Sequence, residues 1–319
     1  MKMQQTRERR VVVIGGAGFL GSHMVNYLID ELSCRVTVLD NLINGKEKHI
    51  HPQADFEWWD IRDDERQLAD LLKKRNIELV FNYAAEPFLP DSFDRPGYVF
   101  EINASAVLTV LNACQLAGVK KILQVSSAEI YGCAHGKISE DAPIKPHSTY
   151  GVSKVAADGL VQVRHREVGV PAVILRQFNC IGERPTHSYV VPDMISQFAS
   201  GPEVHLGNNS ERDFLYAGDA VRMAAELMEK GTCGEAYNMG SETSVSIYDL
   251  AYQVGRLMGH SDPKIIEDDR RVRPWEIWHL QSDNSKLYGV IDSRPQTEIM
   301  EAVRKTVDYF YANGERWDF

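Results

Sequence analysis

The chain has 319 residues, 44% apolar and 25% charged, with a formal net charge of −10. This balance suits a globular protein of one large or two modest domains. The negative charge counts against non-specific binding to nucleic acid or an anionic membrane, but not against a small anionic ligand held by a few Arg residues.

Met1 to Arg10 is polar and basic, and only four apolar residues follow, so no export signal is expected. Apolar stretches are short and broken by Gly or charge, so no bilayer span is expected either. Cys34, Cys114, Cys133, Cys180 and Cys233 are scattered without a C-x-x-C pair. No metal site is expected, and a reducing cytoplasm fits best.

Along the first half, β-branched runs at Arg10–Gly15, Arg35–Asp40, Phe56–Trp59, Leu79–Tyr83, Lys121–Ser126 and Ala172–Gln177 alternate with helical stretches. The helices are expected at Phe19–Leu32, Glu65–Arg75, Val99–Ala117 and Tyr150–Val168. Strand–helix alternation predicts an α/β fold, a Rossmann-type doubly wound parallel sheet whose ligands bind at its carboxyl edge. After Asn179 the rhythm changes. Fewer strands are expected there, with helices near Val190–Ala199, Asp219–Lys230, Ile247–Met258 and Thr297–Asn313. The expected division is a cofactor domain over 1–178 and a smaller α/β substrate-binding portion over 179–319, with segments that interleave.

Val11 to Gly21 reads as a strand, then glycines at 15, 18 and 21, then an apolar helix beginning with Phe19 and Leu20. Glycine permits the tight turn and lets the backbone approach a pyrophosphate, which then sits on the helix N-terminus. A plain turn would show the same three glycines. Asp40 ends the next strand, where a carboxylate binds adenine-ribose hydroxyls and repels a 2′-phosphate, so NAD is expected over NADP. Asn41 follows it. Asp60-Ile61 after the third strand and Tyr83-Ala84-Ala85 after the fourth are placed to face the same ligand.

Tyr150-Gly-Val-Ser-Lys154 puts Tyr and Lys on one helix face, so the ammonium is expected near the phenol. An exposed helix pair would have the same spacing. The preceding strand ends in Ser126-Ser127, which offers a hydroxyl beside the Tyr. A phenol ordinarily titrates near 10, and a neighbouring cation together with an oxidised nicotinamide would bring it into range as a base.

With these motifs the chain resembles an extended short-chain dehydrogenase/reductase of the nucleotide-sugar epimerase and dehydratase group, from Val11 to about Tyr309. The resemblance implies that Tyr150 takes the sugar C4 hydroxyl proton while hydride passes to NAD, with Lys154 as its electrostatic partner and ribose ligand and Ser127 as hydroxyl partner. Asn103 resembles the family's cofactor-loop asparagine; a helix N-terminal residue is the alternative. In the second half, Leu175-Arg-Gln-Phe-Asn179 and Glu211-Arg212-Asp-Phe resemble segments that hold the sugar diphosphate. Arg273 and Glu276 resemble the later Arg and acid of the nucleotide site, and Val191 lies in a further matching segment. A homodimer through the helices over 99–117 and 150–168 is implied.

The reaction turns on the position two after Ser127, which is Glu129. Removing a proton beside a ketone needs a second base, and a carboxylate next to Tyr150 suits that work. In the resemblance, such a Glu is typical of 4,6-dehydratases, and Ala84-Ala-Glu86 looks like their fourth-strand loop, with Glu86 facing substrate. One departure is Ala128, where dTDP-glucose dehydratases carry an acid. A 4,6-dehydratase is therefore expected, with a 4-epimerase, a uronate decarboxylase and a 4-keto-6-deoxysugar reductase as alternatives. A redox sensor or scaffold on this fold would be expected to lack Tyr or Lys; both are present. His187, Tyr189, Trp275 and Trp278 are candidates for the sugar-nucleotide pocket, with simple packing as the alternative.

Overall fold

The computed structural model describes residues 8–273, 275–317 and 319. Met1–Arg7, most of the segment read as carrying no export signal, lie outside the described residues, as do Pro274 and Asp318.

In β1 (Arg10–Ile14) the side chains of Val11 through Ile14 are all buried. A strand without a polar face belongs inside a sheet covered on both sides. It pairs in parallel with β2 (Arg35–Asp40) and β4 (Leu79–Asn82). β3 (Asp55–Trp58), β5 (Lys121–Ser127) and β6 (Ala172–Gln177) extend the sheet on either side.

Helices cross between the strands. α1 (Phe19–Asp30) packs on one face; α2 (Glu65–Lys74), α5 (Ala106–Ala117) and α6 (Thr149–Val168) pack on the other. Asp64 caps α2 by accepting from the Arg66 and Gln67 N–H groups, and Ser148 caps α6 through Gly151 N. Before α5 lie the short helices α3 (Asp91–Asp94) and α4 (Pro96–Phe100), then a π-helical turn over Glu101–Ser105.

Beyond residue 178 come β7 (Asn179–Ile181), α7 (Val190–Ser200), β8 (Glu203–Leu206), β9 (Glu211–Tyr216), α8 (Ala217–Lys230), β10 (Ala236–Met239), β11 (Ser244–Ser246), α9 (Ile247–Leu257), β12 (Lys264–Glu267), β13 (His279–Leu280), α10 (Ser285–Tyr288) and α11 (Ile299–Ala312). The expectation of fewer strands here is corrected: the described residues of the second half form seven, each only two to six residues long. Alternation cannot be recognised in runs so short. β10 joins β6 as the seventh parallel strand, giving the order β10-β6-β5-β4-β1-β2-β3. Strand order reverses between β1 and β4, and the crevice for a ligand opens at the carboxyl ends there. β7, β9, β11 and β13 form a second sheet, and a separate core of Phe198, Phe214, Leu250 and Phe310 packs beneath α7, α9 and α11.

The helical run Pro96–Ala117 corrects another expectation. It is long and apolar enough to cross a bilayer by length and composition, with mean hydropathy 1.3. Its apolarity has a nearer cause, since Val99, Val107, Val110 and Leu111 are buried in the core shared with α2 and α6.

Candidate active site

A cleft of about 860 Å³ opens over the carboxyl ends of the main sheet and runs under the second portion of the chain. Its walls bring together nearly all the residues singled out from the sequence.

At one end the wall is backbone. Gly15 has φ +76 and lies so close to Ala84 that a Cβ would meet the Ala84 N at 2.6 Å. A Cβ on Gly21 would meet the Gly15 carbonyl oxygen at 2.0 Å. Only glycine fits either place. Gly18 caps α1 without a side-chain hydrogen bond, which leaves the first N–H groups of this helix for an anion. Gly15, Gly18, Phe19, Leu20, Gly21, Asn41, Ile61, Tyr83, Ala84 and Ala85 all line this end.

Asp40 lines it too. Its Oδ2 accepts from Ala17 N at 3.0 Å and its Oδ1 from Leu42 N at 2.8 Å. Burial raises its pKa, with the two backbone bonds opposing. The cradle therefore fits a dinucleotide with a free ribose edge at Asp40.

Two cofactor expectations are corrected in position. Asp60 is not on the cleft wall: its carboxylate is held by Arg62 Nε and the Arg62 guanidinium at 2.9 and 2.8 Å, and by Asn41 at 3.0 Å. The Arg62 bonds hold its pKa well below the carboxylate range. Asp60 thus fixes Asn41, which does face the cleft. Asn103 also lies behind the wall, and inside the π turn rather than at a helix start. Its side chain clamps the Glu86 backbone, accepting from Glu86 N at 2.8 Å and donating to Glu86 O at 2.9 Å.

The centre of the cleft holds Ser127, Glu129, Tyr150 and Lys154. β5 ends at Ser127, whose Oγ accepts from Glu129 N at 3.2 Å and so turns the chain into the following helical turn. Burial pushes the Tyr150 phenol up to about 12; the Ser127 hydrogen bond opposes this and Glu129 adds to it. The Lys154 ammonium sits 5.8 Å from the Tyr150 ring centroid and donates to the Val125 carbonyl at 3.2 Å. The protein by itself therefore keeps Tyr150 neutral. Burial pulls Lys154 down to about 8 against the opposing charge of Asp158. Asp158 is bonded in turn to Arg176 at 2.9 Å, and Arg176 donates to the Tyr131 hydroxyl at 2.8 Å. Burial raises the Glu129 carboxyl against the pull of Arg212 and Arg273. No described side chain donates a hydrogen bond to it.

The far end is built by loops. Asn179, Val191, Arg212, Arg273 and Glu276 line it, with Glu86 at its inner side. Arg212 pairs with Glu276 at 2.8 Å, and Asn208 donates to the other Glu276 oxygen at 2.8 Å. The Asn179 side-chain oxygen Oδ1 is buried without a hydrogen bond. Of the aromatic candidates, His187 and Tyr189 line the cleft, while Trp275 and Trp278 are 71% and 57% exposed and do not.

Sequence reasoning missed Asn44, Phe88, Thr186 and Asn208, all on the cleft wall, and the buried set Asp158–Arg176–Tyr131. Only Asp158 carried a signal, one helical turn past Lys154.

The whole arrangement has counterparts among known proteins. Over 314 residues the chain is 29% identical to the low-salt glycan biosynthesis protein Agl12 of Haloferax volcanii, covering 96% of this chain and 99% of that protein. The structure matches DesIV, a dTDP-glucose 4,6-dehydratase from Streptomyces venezuelae solved with NAD, at TM-score 0.88 and 26% identity over 97% of this chain and 99% of that one. It also matches the UDP-glucose 4-epimerase of Thermus thermophilus in complex with NAD, at TM-score 0.86 and 28% identity over 95% and 99% of the two chains. A family model matches residues 11–240, and the chain, an NAD-dependent enzyme, belongs to the NAD dependent epimerase/dehydratase family.

Proposed function

We propose that the protein is a nucleotide-sugar 4,6-dehydratase. The observation that carries this reading is the Glu129 carboxylate, half-buried on the cleft wall beside Tyr150 with no described side chain donating to it. A carboxylate kept unpaired and raised towards neutrality is suited to take a proton from carbon.

The glycine cradle and Asp40 would hold NAD, which when bound would supply the hydride acceptor for sugar C4 and the hydride donor for C6. Tyr150 receives the C4 hydroxyl proton, Ser127 holds that oxygen, and Lys154 holds the nicotinamide ribose. The C4 ketone makes the neighbouring C5 proton acidic, and Glu129 removes it. Arg212 and Arg273 hold the diphosphate, since guanidinium forks match phosphate oxygens. Asn179, Val191, Glu86 and Glu276 complete the substrate wall. Residues 1–178 then serve the cofactor and 179–319 the sugar nucleotide, with β10 crossing back.

A 4-epimerase is the second reading, favoured by Ala128, which leaves no acidic side chain between Ser127 and Glu129. Incubating the protein with UDP-, dTDP-, GDP- and CDP-hexoses and UDP-glucuronate, followed by mass spectrometry, separates the two. Loss of water supports the dehydratase; an unchanged mass with an inverted C4 centre supports the epimerase. Loss of carbon dioxide would mark a decarboxylase.

We further propose a homodimer. Val152, Ala156, Gly159, Leu160 and Val163 fall at helical spacing along one side of α6, and Val152 and Val163 are exposed. Small residues in such a stripe allow close helix approach. Sedimentation of the wild type against Val152→Glu tests it. All five cysteines are free, which fits the cytoplasm as the working compartment.

A further inference from the structure

We propose that His187 and Glu86 form a proton-donating dyad in the sugar pocket: His187 protonates, through the Thr186 hydroxyl, the oxygen that leaves the sugar, and Glu86 holds and orients the imidazole. This inference rests on the dehydratase reading.

Hydroxide leaves carbon poorly unless it is protonated as it departs. Ala128 is apolar and buried, so the turn beside Glu129 offers no donor. Other ionisable groups on the cleft wall are engaged elsewhere. Glu129 takes the carbon proton and Tyr150 the C4 proton, and Lys154 is turned to the Val125 carbonyl. Glu276 is paired with Arg212, and Asp193 with Arg271. Asp40 lies at the cofactor end with both oxygens bonded. An arginine does not give up a proton. Burial pushes the Tyr83, Tyr98 and Tyr189 phenols and the Cys180 thiol on the wall further above neutrality. His187 is left, and imidazole is the side chain whose ordinary acidity suits donation near neutral pH.

The geometry is that of a held imidazole. His187 Nε2 lies 3.6 Å from Glu86 Oε1, and Nδ1 lies 3.0 Å from the Thr186 hydroxyl. The ring stacks on Phe88 at 5.3 Å and 23° and touches Tyr189 at 5.6 Å. Glu86 is only 2% exposed. Its Oε2 accepts from Asn44 at 3.1 Å, while Oε1 has no hydrogen bond and is aimed at the imidazole across the pocket wall. Among the described residues the imidazole is the one group facing that oxygen, at ion-pair distance, so the carboxylate is placed to hold the ring. Burial raises the Glu86 carboxyl, but His187 and Asn44 outweigh it and hold the group below its usual range. Glu86 is thus an ionised partner. The Asn103 clamp on its backbone fixes where it points.

The step balances. The electron pair left on C5 when Glu129 takes its proton forms the C5–C6 double bond as the C6–O bond breaks. The imidazolium Nδ1–H bond, the one not turned to Glu86, breaks; its proton passes to the Thr186 hydroxyl oxygen beside it while that hydroxyl's own proton joins the departing oxygen, and water leaves. His187 is left neutral, and the proton that Tyr150 took from the C4 hydroxyl offsets the one His187 gave.

The test compares dTDP-glucose or UDP-glucose, whichever the wild-type holoenzyme dehydrates, with its 6-deoxy-6-fluoro analogue. Fluoride leaves with far less need of a proton. In His187→Asn and His187→Gln, turnover of the hydroxyl substrate should fall about 10²–10⁴-fold. Turnover of the fluoro substrate should fall less than about tenfold, because its departure does not draw on acid catalysis. Glu86→Gln should show the same split with a smaller loss. Equal losses on both substrates in both His187 variants would assign the residue to packing and overturn the dyad. A wild-type enzyme that releases no water from any hexose conjugate would instead overturn the dehydratase reading.

Discussion

The two ends of the cleft are made in opposite ways. The cofactor end is backbone and closed geometry: Gly15 and Gly21 stand where a Cβ has no room, and Asp40 has both oxygens bonded to main-chain N–H groups. The sugar end is side chains from distant loops, and part of their polarity is left open. Glu129 has no described donor side chain, Asn179 Oδ1 is buried without a hydrogen bond, Glu86 Oε1 meets only the His187 imidazole at 3.6 Å, and Arg212 is shared between Glu276 and the cleft. A rigid wall suits a ligand held the same way in every turnover. An unsatisfied wall suits one whose protons move.

The largest expected effect comes from the junction of the two ends. Tyr150→Phe removes the oxygen that receives the C4 proton, and kcat should fall by about 10²–10⁴-fold with cofactor content unchanged. Single-turnover assays on protein of known NAD content check this. Loss of NAD along with activity would place Tyr150 in the rigid wall rather than at the reacting centre.

Next in size is a pH effect on stability at Lys154. Its folded pKa, about 8, lies below the unfolded-chain value of 10.5. Below about 8 the residue is charged in both states, and burying that charge costs stability in full. Between about 8 and 10.5 the folded protein holds fewer protons than the unfolded chain, so stability rises with pH. Tyr150 works the other way, because its phenol is held neutral up to about 12 while an unfolded tyrosine ionises from 10.0. The gain therefore belongs to the window from about 8 to 10. It should reach about 3 kcal/mol at most. Melting curves of the wild type and Lys154→Met across that window test it: the rise should be present in the first and missing in the second. Parallel curves would contradict it.

Smallest is the break in the rigid wall itself. Gly21→Ala forces a methyl against the Gly15 carbonyl and should cost about 1–3 kcal/mol. The variant should also lose NAD on dialysis, read by fluorescence of the released cofactor after reduction. Retention of NAD at wild-type stability would show that the glycine cradle is looser than its geometry indicates.

The same contrast governs how much could be read from the sequence. β1, the three glycines and Asp40 lie within a single strand–helix–strand unit, and Tyr150 and Lys154 within one helical turn, so local spacing carried them. Glu129 was legible because Ser127 anchored its position. Asp60 was misplaced because its neighbour Arg62, two residues on, captures the carboxylate. Asn103 was legible as a residue but not in its task, since the π turn that aims it at Glu86 has no sequence signature of its own. The Glu86–His187 and Arg212–Glu276 pairs join loops far apart in the chain, and no periodicity connects them. The short strands β7 to β13 escaped for a related reason: their order comes from packing against one another, not from runs long enough to show alternation.

The most direct test of the account is the fate of one hexose conjugate with the wild type and with Glu129→Gln. Incubation in deuterated water and mass spectrometry of the product should show loss of water and one deuterium at C5 with the wild type. With Glu129→Gln the product should be missing, while reduced cofactor still accumulates on the protein. A wild-type product of unchanged mass with inverted C4, formed equally well by Glu129→Gln, would contradict it.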